Sequence, residues 1–248
     1  VLIDWGVHYL DLILYILGGA KLKTLTCDAY SEMAKDMKSY KYKSMWAEDT
    51  ADVENGIVHS KRADRKQKAI FLDRDGTINK DTGHLFRKEE FEFLPDADKA
   101  IAEIKSKGYL AIVITNQAGI AKGFYTPDDV DKLHSYADSL LFENCGVTAD
   151  AYYYCPHHPD AVIDELKKEC SCRKPSAGLI LKAVSDFSDI GIEIDLENSF
   201  TVGNKLSDVL AGKNAGIKNN ILTGHDDSDS DGIASAHYDT LFDFSRVI

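Results

Sequence analysis

The segment Phe71-Leu72-Asp73-Arg74-Asp75-Gly76-Thr77-Ile78-Asn79 joins an apolar run to a polar turn that carries two aspartates. Residues 69–72 form an apolar run that predicts a buried strand. Because alternate side chains of a strand point the same way, Asp73 and Asp75 should leave its carboxyl end together. Gly76 lets the backbone turn sharply beside a ligand, and Thr77 can hydrogen-bond a carboxylate or a phosphate oxygen. The stretch suits a divalent metal and a phosphoryl group, although Asp and Gly are also common in solvated turns.

Strand and helix patterns alternate from residue 68 to the carboxyl terminus. Apolar strand candidates lie at residues 69–72, 110–115, 151–154, 199–202 and 220–222, and helical patterns lie around residues 96–107, 127–144, 176–187 and 205–215. This alternation predicts an α/β domain with a Rossmann-like parallel sheet, right-handed crossovers and helices on both faces. Ligands of such sheets bind at the carboxyl ends of the strands, where functional side chains should therefore gather.

Composition and charge narrow the class of protein. The 248 residues are 44% hydrophobic and 28% charged, as in a soluble globular protein with one large core and a smaller unit. A formal net charge of −12 argues against a nucleic-acid partner, which normally meets a basic face. The apolar run at residues 10–17 is too short to span a bilayer and lacks the features of a secretory leader. We therefore expect a cytoplasmic protein without a membrane partner.

Polar groups follow the other predicted strands as well. They are Thr115 and Asn116 after the second strand, Arg173 and Lys174 beyond the third, and Asn204 and Asp208 after the fourth. A hydroxyl and an amide at a strand end can hold phosphoryl oxygens, and a lysine can neutralise both an aspartate and an incoming phosphate. An arginine can fork onto a substrate oxygen, and the last pair can complete a magnesium shell directly or through water.

A cluster of metal-ligating side chains lies between the third strand and the lysine. Cys155, His157, Cys170 and Cys172 place three thiols and an imidazole within eighteen residues, which matches the ligand set of a closed tetrahedral zinc site. Buried free cysteines are the alternative, but two tight pairs favour zinc. With all four positions filled by protein, this zinc would be structural, and reduced thiols fit a reducing compartment.

The ordered motifs resemble those of the haloacid dehalogenase superfamily. They are Asp73-x-Asp75-Gly-Thr, Thr115, Lys174 and Gly203-Asn204-x-x-x-Asp208. Residues 71–79 and 115–122, the cysteine and histidine loop, and Cys172-Arg173-Lys174-Pro175 are similar to the family of D-glycero-D-manno-heptose 1,7-bisphosphate and histidinol phosphatases. The resemblance covers residues 68 to 248. It implies a haloacid dehalogenase-like domain with a small zinc loop and no large cap.

This resemblance implies a magnesium-dependent hydrolysis of a sugar phosphate and a role for each motif residue. Asp73 is expected to be the nucleophile, Asp75 the general acid and base, and Lys174 the group that offsets charge on the phosphoryl group. Magnesium is expected on the Asp73 carboxylate and the Asp75 backbone carbonyl, with Asn204 and Asp208 completing its shell. The expected substrate-binding residues are Thr115, Asn116, Arg173, Thr77 and Asn79, the first two on phosphoryl oxygens.

Two positions depart from the family pattern. Asn204 stands where the family usually has Asp, so one magnesium ligand is neutral and weaker metal binding is expected. Lys122 stands where Arg is usual, which keeps the charge but loses the planar fork.

Residues 1–59 have a different character and precede a basic linker at residues 60–68, before the domain at 69–248. Asp4, His8 and the following helical pattern resemble the substrate-binding domain of the glucose-fructose oxidoreductase and inositol dehydrogenase family. We expect a partial α+β remnant of that domain, with an upstream oxidoreductase portion in the full-length protein.

Three hypotheses for function remain at this point. The first is a phosphatase acting on heptose bisphosphate or, as a neighbouring substrate, histidinol phosphate. The second is a binding module that has lost metal use through Asn204, and the third is a truncated oxidoreductase fusion.

Overall fold

A computed structural model describes residues 66–224 and 232–248, and the backbone of three short strands before them. The chain divides into two units, residues 1–65 with 190–192 and residues 66–189 with 193–248. In the first unit, β1 (Lys41–Lys43), β2 (Thr50–Glu54) and β3 (Ile57–Ser60) form an antiparallel sheet in that order. The helix predicted around Asp4 and His8 lies outside the described residues.

A six-stranded parallel sheet forms the centre of the second unit. Its strands are β5 (Ala69–Leu72), β6 (Leu110–Asn116), β7 (Ala151–Cys155), β9 (Phe200–Gly203), β10 (Asn219–Thr223) and β11 (Ala236–Tyr238). Their order is β11-β10-β9-β5-β6-β7, and every neighbouring pair is parallel. The predicted parallel α/β fold is confirmed.

Helices connect these strands. They are α1 (Ala97–Ser106), α2 (Ala118–Ala121), α3 (Pro127–Cys145), α4 (Gly178–Asp189), α5 (Leu206–Asn214) and α6 (Leu241–Ser245). Helix α1 packs against α3 and α6, whereas α4 packs on β6 and β7 and α5 packs on β9 and β10. Right-handed crossovers in opposite directions from β5 place these two groups on opposite faces of the sheet.

The apolar side chains of the strands form the core of this unit. Ile70 and Leu72 on β5 are fully buried, and they pack in one cluster with Ile101 and Ile104 of α1 and with Phe244 of α6. All four residues of β5 are fully buried, which is typical of a central strand covered on both faces. The loop that leaves β5 therefore starts from a rigid base.

Three features differ from the sequence-based expectation. Lys66–Gln67, within the predicted linker, forms strand β4 and pairs in parallel with β8 (Glu193–Ile194). Strand β11 and helix α6 were not anticipated, because both are short.

In the described part of the chain, no helix combines the length and apolar character needed to cross a bilayer.

Candidate active site

The carboxyl ends of β5 and β9 define the site. The chain runs from β5 to β6 on one side and returns to β9 on the other, so the strand order reverses between β5 and β9. A reversal of this kind opens a crevice outside the strand ends, where ligands bind. The Asp73 N–H donates to Val202 O at 2.9 Å, which carries the β5–β9 ladder into the loop. Asp73 is thereby fixed at the crevice.

A buried cluster of two carboxylates and one ammonium occupies the crevice. Lys174 Nζ lies 2.6 Å from Asp73 Oδ1, 2.7 Å from Asp208 Oδ1 and 2.9 Å from the Ile114 carbonyl oxygen. The three acceptors match the three donors of an ammonium group. Asp73, Lys174 and Asp208 are 5%, 4% and 1% exposed, so when both aspartates are ionised the cluster carries one excess negative charge away from water.

Burial sets the protonation of this cluster. Burial and the Asp208 carboxylate raise the pKa of Asp73 to about 7, and Lys174 opposes them. Burial also disfavours the charged lysine, but Asp208 and Asp73 outweigh it and raise the pKa of Lys174 above its usual value. Lys174 is therefore a permanent cation, and a further cation beside Asp73 would favour its ionised form.

Two side chains hold the lysine in place. Asn116 Nδ2 donates to Lys174 O at 3.1 Å, and Lys174 N donates to Asn116 Oδ1 at 3.0 Å. This reciprocal pair commits the Asn116 side chain, expected on phosphoryl oxygens, to holding the Lys174 backbone. Asp208, expected in the magnesium shell, uses Oδ1 on Lys174 and accepts from Lys205 N at 3.0 Å through Oδ2. Both residues thus position the lysine.

The second aspartate is held by a separate set of donors. Arg74 donates from Nε to Asp75 Oδ1 at 3.1 Å and from Nη2 to Asp75 Oδ2 at 3.0 Å. Asn79 Nδ2 donates to Oδ1 at 3.0 Å, and Gln117 Nε2 donates to Oδ2 at 3.0 Å. The Asp75 carboxylate is therefore fixed in one orientation beside the crevice.

Gln117 also reaches the predicted phosphate-binding hydroxyl. Its Nε2 donates to Thr115 Oγ1 at 2.9 Å, and its Oε1 accepts from Tyr125 Oη at 2.7 Å. Burial raises the pKa of Tyr125 to about 12, so its hydroxyl is the donor in this bond. With its oxygen taken by the tyrosine, the amide must present its NH2 group to Thr115 and Asp75.

Sequence reasoning missed Arg74, Gln117 and Tyr125. Arg74 stands inside the quoted motif, and an arginine between two aspartates is a signal that could have found it. Gln117 directly follows Asn116, but its direction depends on Tyr125, eight residues away. No pattern in the sequence indicates that bond.

The residues around Asn204 fit a magnesium ion. Gly76 has a φ of +89°, and a Cβ on it would lie 2.3 Å from Asn204 Nδ2, so a side chain there would strain the backbone and displace this amide from the Asp75–Gly76 loop. Asn204 Oδ1 is buried and without a hydrogen-bond partner, as are Thr77 Oγ1 and Asn79 Oδ1. An unpartnered amide oxygen beside the Asp75–Gly76 loop is the kind of oxygen ligand that magnesium takes. Asn204 is thus available as a neutral ligand.

The cysteine and histidine cluster has the geometry of a zinc site. The ligand atoms of Cys155, His157, Cys170 and Cys172 all lie within 4.8 Å of one another. Such a set fits one tetrahedral zinc ion with no open position. Arg173 Nη1 donates to His157 O at 3.2 Å, so the cluster contacts the residue that precedes Lys174.

This parallel sheet, with its aspartate and lysine cluster at the strand ends, is that of a phosphatase of the haloacid dehalogenase superfamily. The family model described as polynucleotide kinase 3 phosphatase matches residues 68–239. D-glycero-beta-D-manno-heptose-1,7-bisphosphate 7-phosphatase of Pasteurella multocida is 40% identical, with 73% of this chain and 97% of that protein covered. The corresponding alpha enzyme of Photorhabdus laumondii is 40% identical, with 74% and 97% covered.

A solved structure is similar as well. D,D-heptose 1,7-bisphosphate phosphatase from B. bronchiseptica, complexed with magnesium and phosphate, has a TM-score of 0.61 and 26% identity, with 73% of this chain and 97% of that chain covered. The chain belongs to the haloacid dehalogenase family that contains these heptose bisphosphate phosphatases. The matched model begins at residue 68, so the oxidoreductase resemblance of the first 58 residues and the expected upstream portion stay predictions.

Proposed function

We propose that this protein is a magnesium-dependent phosphatase that removes the 7-phosphate of D-glycero-D-manno-heptose 1,7-bisphosphate. The observation that carries the proposal is the buried Asp73–Lys174–Asp208 cluster, with the separately held Asp75 carboxylate beside it. Relatives 40% identical over 97% of their length carry this activity in their names. These two relatives, one a beta and one an alpha enzyme, are each 40% identical to this chain, so both anomers are tested as substrates.

In the first half of the reaction, an Asp73 carboxylate oxygen attacks phosphorus and the bond from phosphorus to the sugar oxygen breaks. The leaving oxygen takes a proton from the Asp75 carboxyl group, so the sugar departs as an alcohol. Lys174 offsets the negative charge of the phosphoryl group as it transfers, because its ammonium already touches Asp73. An aspartyl phosphate and an Asp75 carboxylate result.

In the second half, the Asp75 carboxylate takes a proton from water, and the water oxygen attacks phosphorus. The bond between phosphorus and the Asp73 oxygen breaks, which releases inorganic phosphate and restores both side chains. Thr115 keeps a hydroxyl proton to donate to a phosphoryl oxygen, because its oxygen accepts from Gln117. Arg173 keeps donors beyond the one used on His157 for the rest of the substrate.

The chain contains residues that fit two metal ions, magnesium and zinc. The Asp73 carboxylate, the Asp75 backbone carbonyl and Asn204 would hold magnesium, while Asp208 holds Lys174 beside them. Bound magnesium supplies charge stabilisation for the transferring phosphoryl group. The zinc ligands would close the loop between Cys155 and Cys172 without taking part in the chemistry. Thiolate ligands also support the expectation of a reducing, cytoplasmic compartment.

The test is a phosphate-release assay with magnesium on both heptose bisphosphate anomers, with histidinol phosphate as the competing substrate. Asp73→Asn should abolish release while the circular dichroism spectrum is unchanged, because the amide cannot form the phosphoenzyme. Asp186→Asn, which removes an exposed carboxylate on α4, should keep wild-type activity. Turnover in Asp73→Asn would refute the mechanism, and preference for histidinol phosphate would refute the substrate.

A further inference from the structure

A chain of buried polar side chains runs from Asp75 away from the crevice. Arg74 is 2% exposed, and beyond Asp75 it contacts two other groups. Its Nη2 donates to Leu85 O at 3.3 Å, and its Nη1 lies 3.1 Å from His134 Nε2. His134, on α3, is 4% exposed. The proposed chemistry uses neither the histidine nor the helix that carries it.

The contact between Arg74 and His134 requires a neutral histidine. A guanidinium group has only donors, so His134 Nε2 must be the acceptor and cannot carry a proton. Burial, followed by the charge of Arg74, lowers the pKa of His134 to about 3, which agrees with this assignment. One face of the His134 ring stacks on the Tyr152 ring, with the two ring centroids 4.3 Å apart and the two ring planes 16° apart. The histidine is thus fixed both at its edge and at its face.

We propose that His134 is a positioning residue for the Asp75 carboxylate and that it acts through Arg74. This inference rests on the proposed function, in which Asp75 donates and then accepts a proton. Arg74 is buried, and a buried donor without an acceptor is costly, so the guanidinium plane follows the position of His134 Nε2. That plane in turn sets the Asp75 carboxylate through two parallel hydrogen bonds.

The network also explains how Asp75 exchanges a proton without losing its orientation. Its two oxygens accept from four donors, two on Arg74 and one each on Asn79 and Gln117. One donor must withdraw before a proton can bind. The neutral amides hold the carboxylate less strongly than the charged fork does, so an amide withdraws and Arg74 keeps the group in place.

The test separates proton transfer from general damage to the site. Two substrates are compared by kcat/KM, an alkyl phosphate such as the heptose bisphosphate and p-nitrophenyl phosphate. An alkoxide leaving group needs a proton from Asp75, whereas p-nitrophenolate leaves without one. His134→Leu should lower kcat/KM about tenfold or more for the alkyl phosphate and less than about twofold for p-nitrophenyl phosphate, since general acid catalysis contributes about 10²–10⁴-fold.

Two further variants complete the design. His134→Gln places an amide oxygen near the position of Nε2 and should restore most of the alkyl phosphate activity. Tyr152→Phe removes a hydroxyl that donates to Asp138 Oδ1 at 2.8 Å but keeps the aromatic ring beside His134 and the contact between His134 and Arg74. The kcat/KM values for both substrates should therefore equal those of the wild type. If His134→Leu does not fold, His134→Asn, whose amide is too short to reach Arg74, takes its place.

The possible results separate a failure of the positioning role of His134 from a failure of the proposed phosphatase function. Equal losses for the two substrates in His134→Leu, or no rescue by His134→Gln, would overturn the positioning role while the phosphatase assignment stands. A wild-type protein that hydrolyses neither substrate would overturn both. A tautomer with the proton on Nε2, seen in the ¹⁵N spectrum of His134, would also overturn the role, because that nitrogen could not accept from Arg74.

Discussion

Replacing Asp73 by asparagine is expected to stabilise the magnesium-free protein at pH 8 while it abolishes activity. Asp73 and Asp208 share a single ammonium group, and all three residues are buried. Without a metal the cluster holds one negative charge in excess. Asparagine removes that charge, keeps the shape of the side chain, and can still accept a hydrogen bond from Lys174 through its amide oxygen. Lys174 and Asp208 then form a balanced pair.

The pKa of Asp73 gives the size of the effect. Its pKa rises from 3.8 to about 7, so ionisation of Asp73 costs on the order of 4 kcal/mol more in the folded protein than in the unfolded chain, at about 1.4 kcal/mol per pKa unit, and at pH 8 the group is ionised in both states. The neutral amide makes a weaker bond to Lys174 than a carboxylate does, which offsets part of the gain. We expect a net increase of about 2 kcal/mol in the free energy of unfolding, or about 4–8 °C in Tm for a unit of this size.

The effect depends on pH with a definite sign. Between about pH 4 and pH 7, folded Asp73 keeps a proton that the unfolded chain has lost, so this group makes the wild type less stable as pH rises through that window. Thermal melts are followed by circular dichroism without added magnesium and with the zinc site loaded. At pH 8 the Tm of Asp73→Asn should therefore be higher than that of the wild type. At pH 5 the wild type and Asp73→Asn should melt close together.

Asp75→Asn is the matched control, and it should change stability in the opposite direction. The Asp75 carboxylate balances the buried Arg74 through two hydrogen bonds, so its loss leaves a buried charge unpaired and lowers Tm at both pH values. An Asp73→Asn protein that melts at or below the wild type at pH 8 would refute the reasoning.

Two further predictions concern the metals. Asn204→Asp adds a charged ligand and should tighten magnesium binding about tenfold in calorimetric titrations, since affinity follows the ligand charge; an unchanged affinity would mean that Asn204 does not touch the ion. Cys172→Ser should reduce the zinc content measured by atomic emission and lower Tm, because the other three ligands leave the tetrahedral shell open. Cys145→Ser, which changes a cysteine outside the cluster, should keep the wild-type zinc content. A wild-type zinc content in Cys172→Ser would refute the proposed zinc site.

Much of the fold follows from local pattern. The apolar run at residues 69–72 is fully buried because β5 lies in the middle of the sheet, and a central parallel strand has no solvated face. By contrast, β11 (Ala236–Tyr238) is a short edge strand whose pairing with β10 comes from the tertiary fold. Strands β4 and β8 are two residues each and pair across 127 positions, so no periodicity could reveal them.

The candidate site, like the fold, could be predicted only in part from the sequence. Asp73 directly follows a predicted strand, so the topology of a parallel sheet places it at the carboxyl edge. Lys174, 101 positions further on, lies beyond the zinc loop, and the order of the motifs rather than the topology indicated its place beside Asp73. The contacts that orient them are different. Asn116 was expected to bind phosphoryl oxygens through its side chain and instead holds the Lys174 backbone. Arg74 depends on His134, whose face of α3 is set by packing. Such pairings depend on side-chain directions that sequence spacing does not specify.

The double hydrogen bond between Asn116 and the Lys174 backbone has a consequence for how the zinc loop can change in evolution. The segment from Cys155 to Lys174 is anchored at its start by β7, which pairs with β6, and at its end by Asn116 on β6. The part between His157 and Cys170 can therefore be lengthened or rewritten while the zinc ligands are kept and the lysine stays in register with the aspartates. New substrate contacts can be grafted between these two anchors without rebuilding the chemistry, which makes the loop the natural site for redesigning specificity.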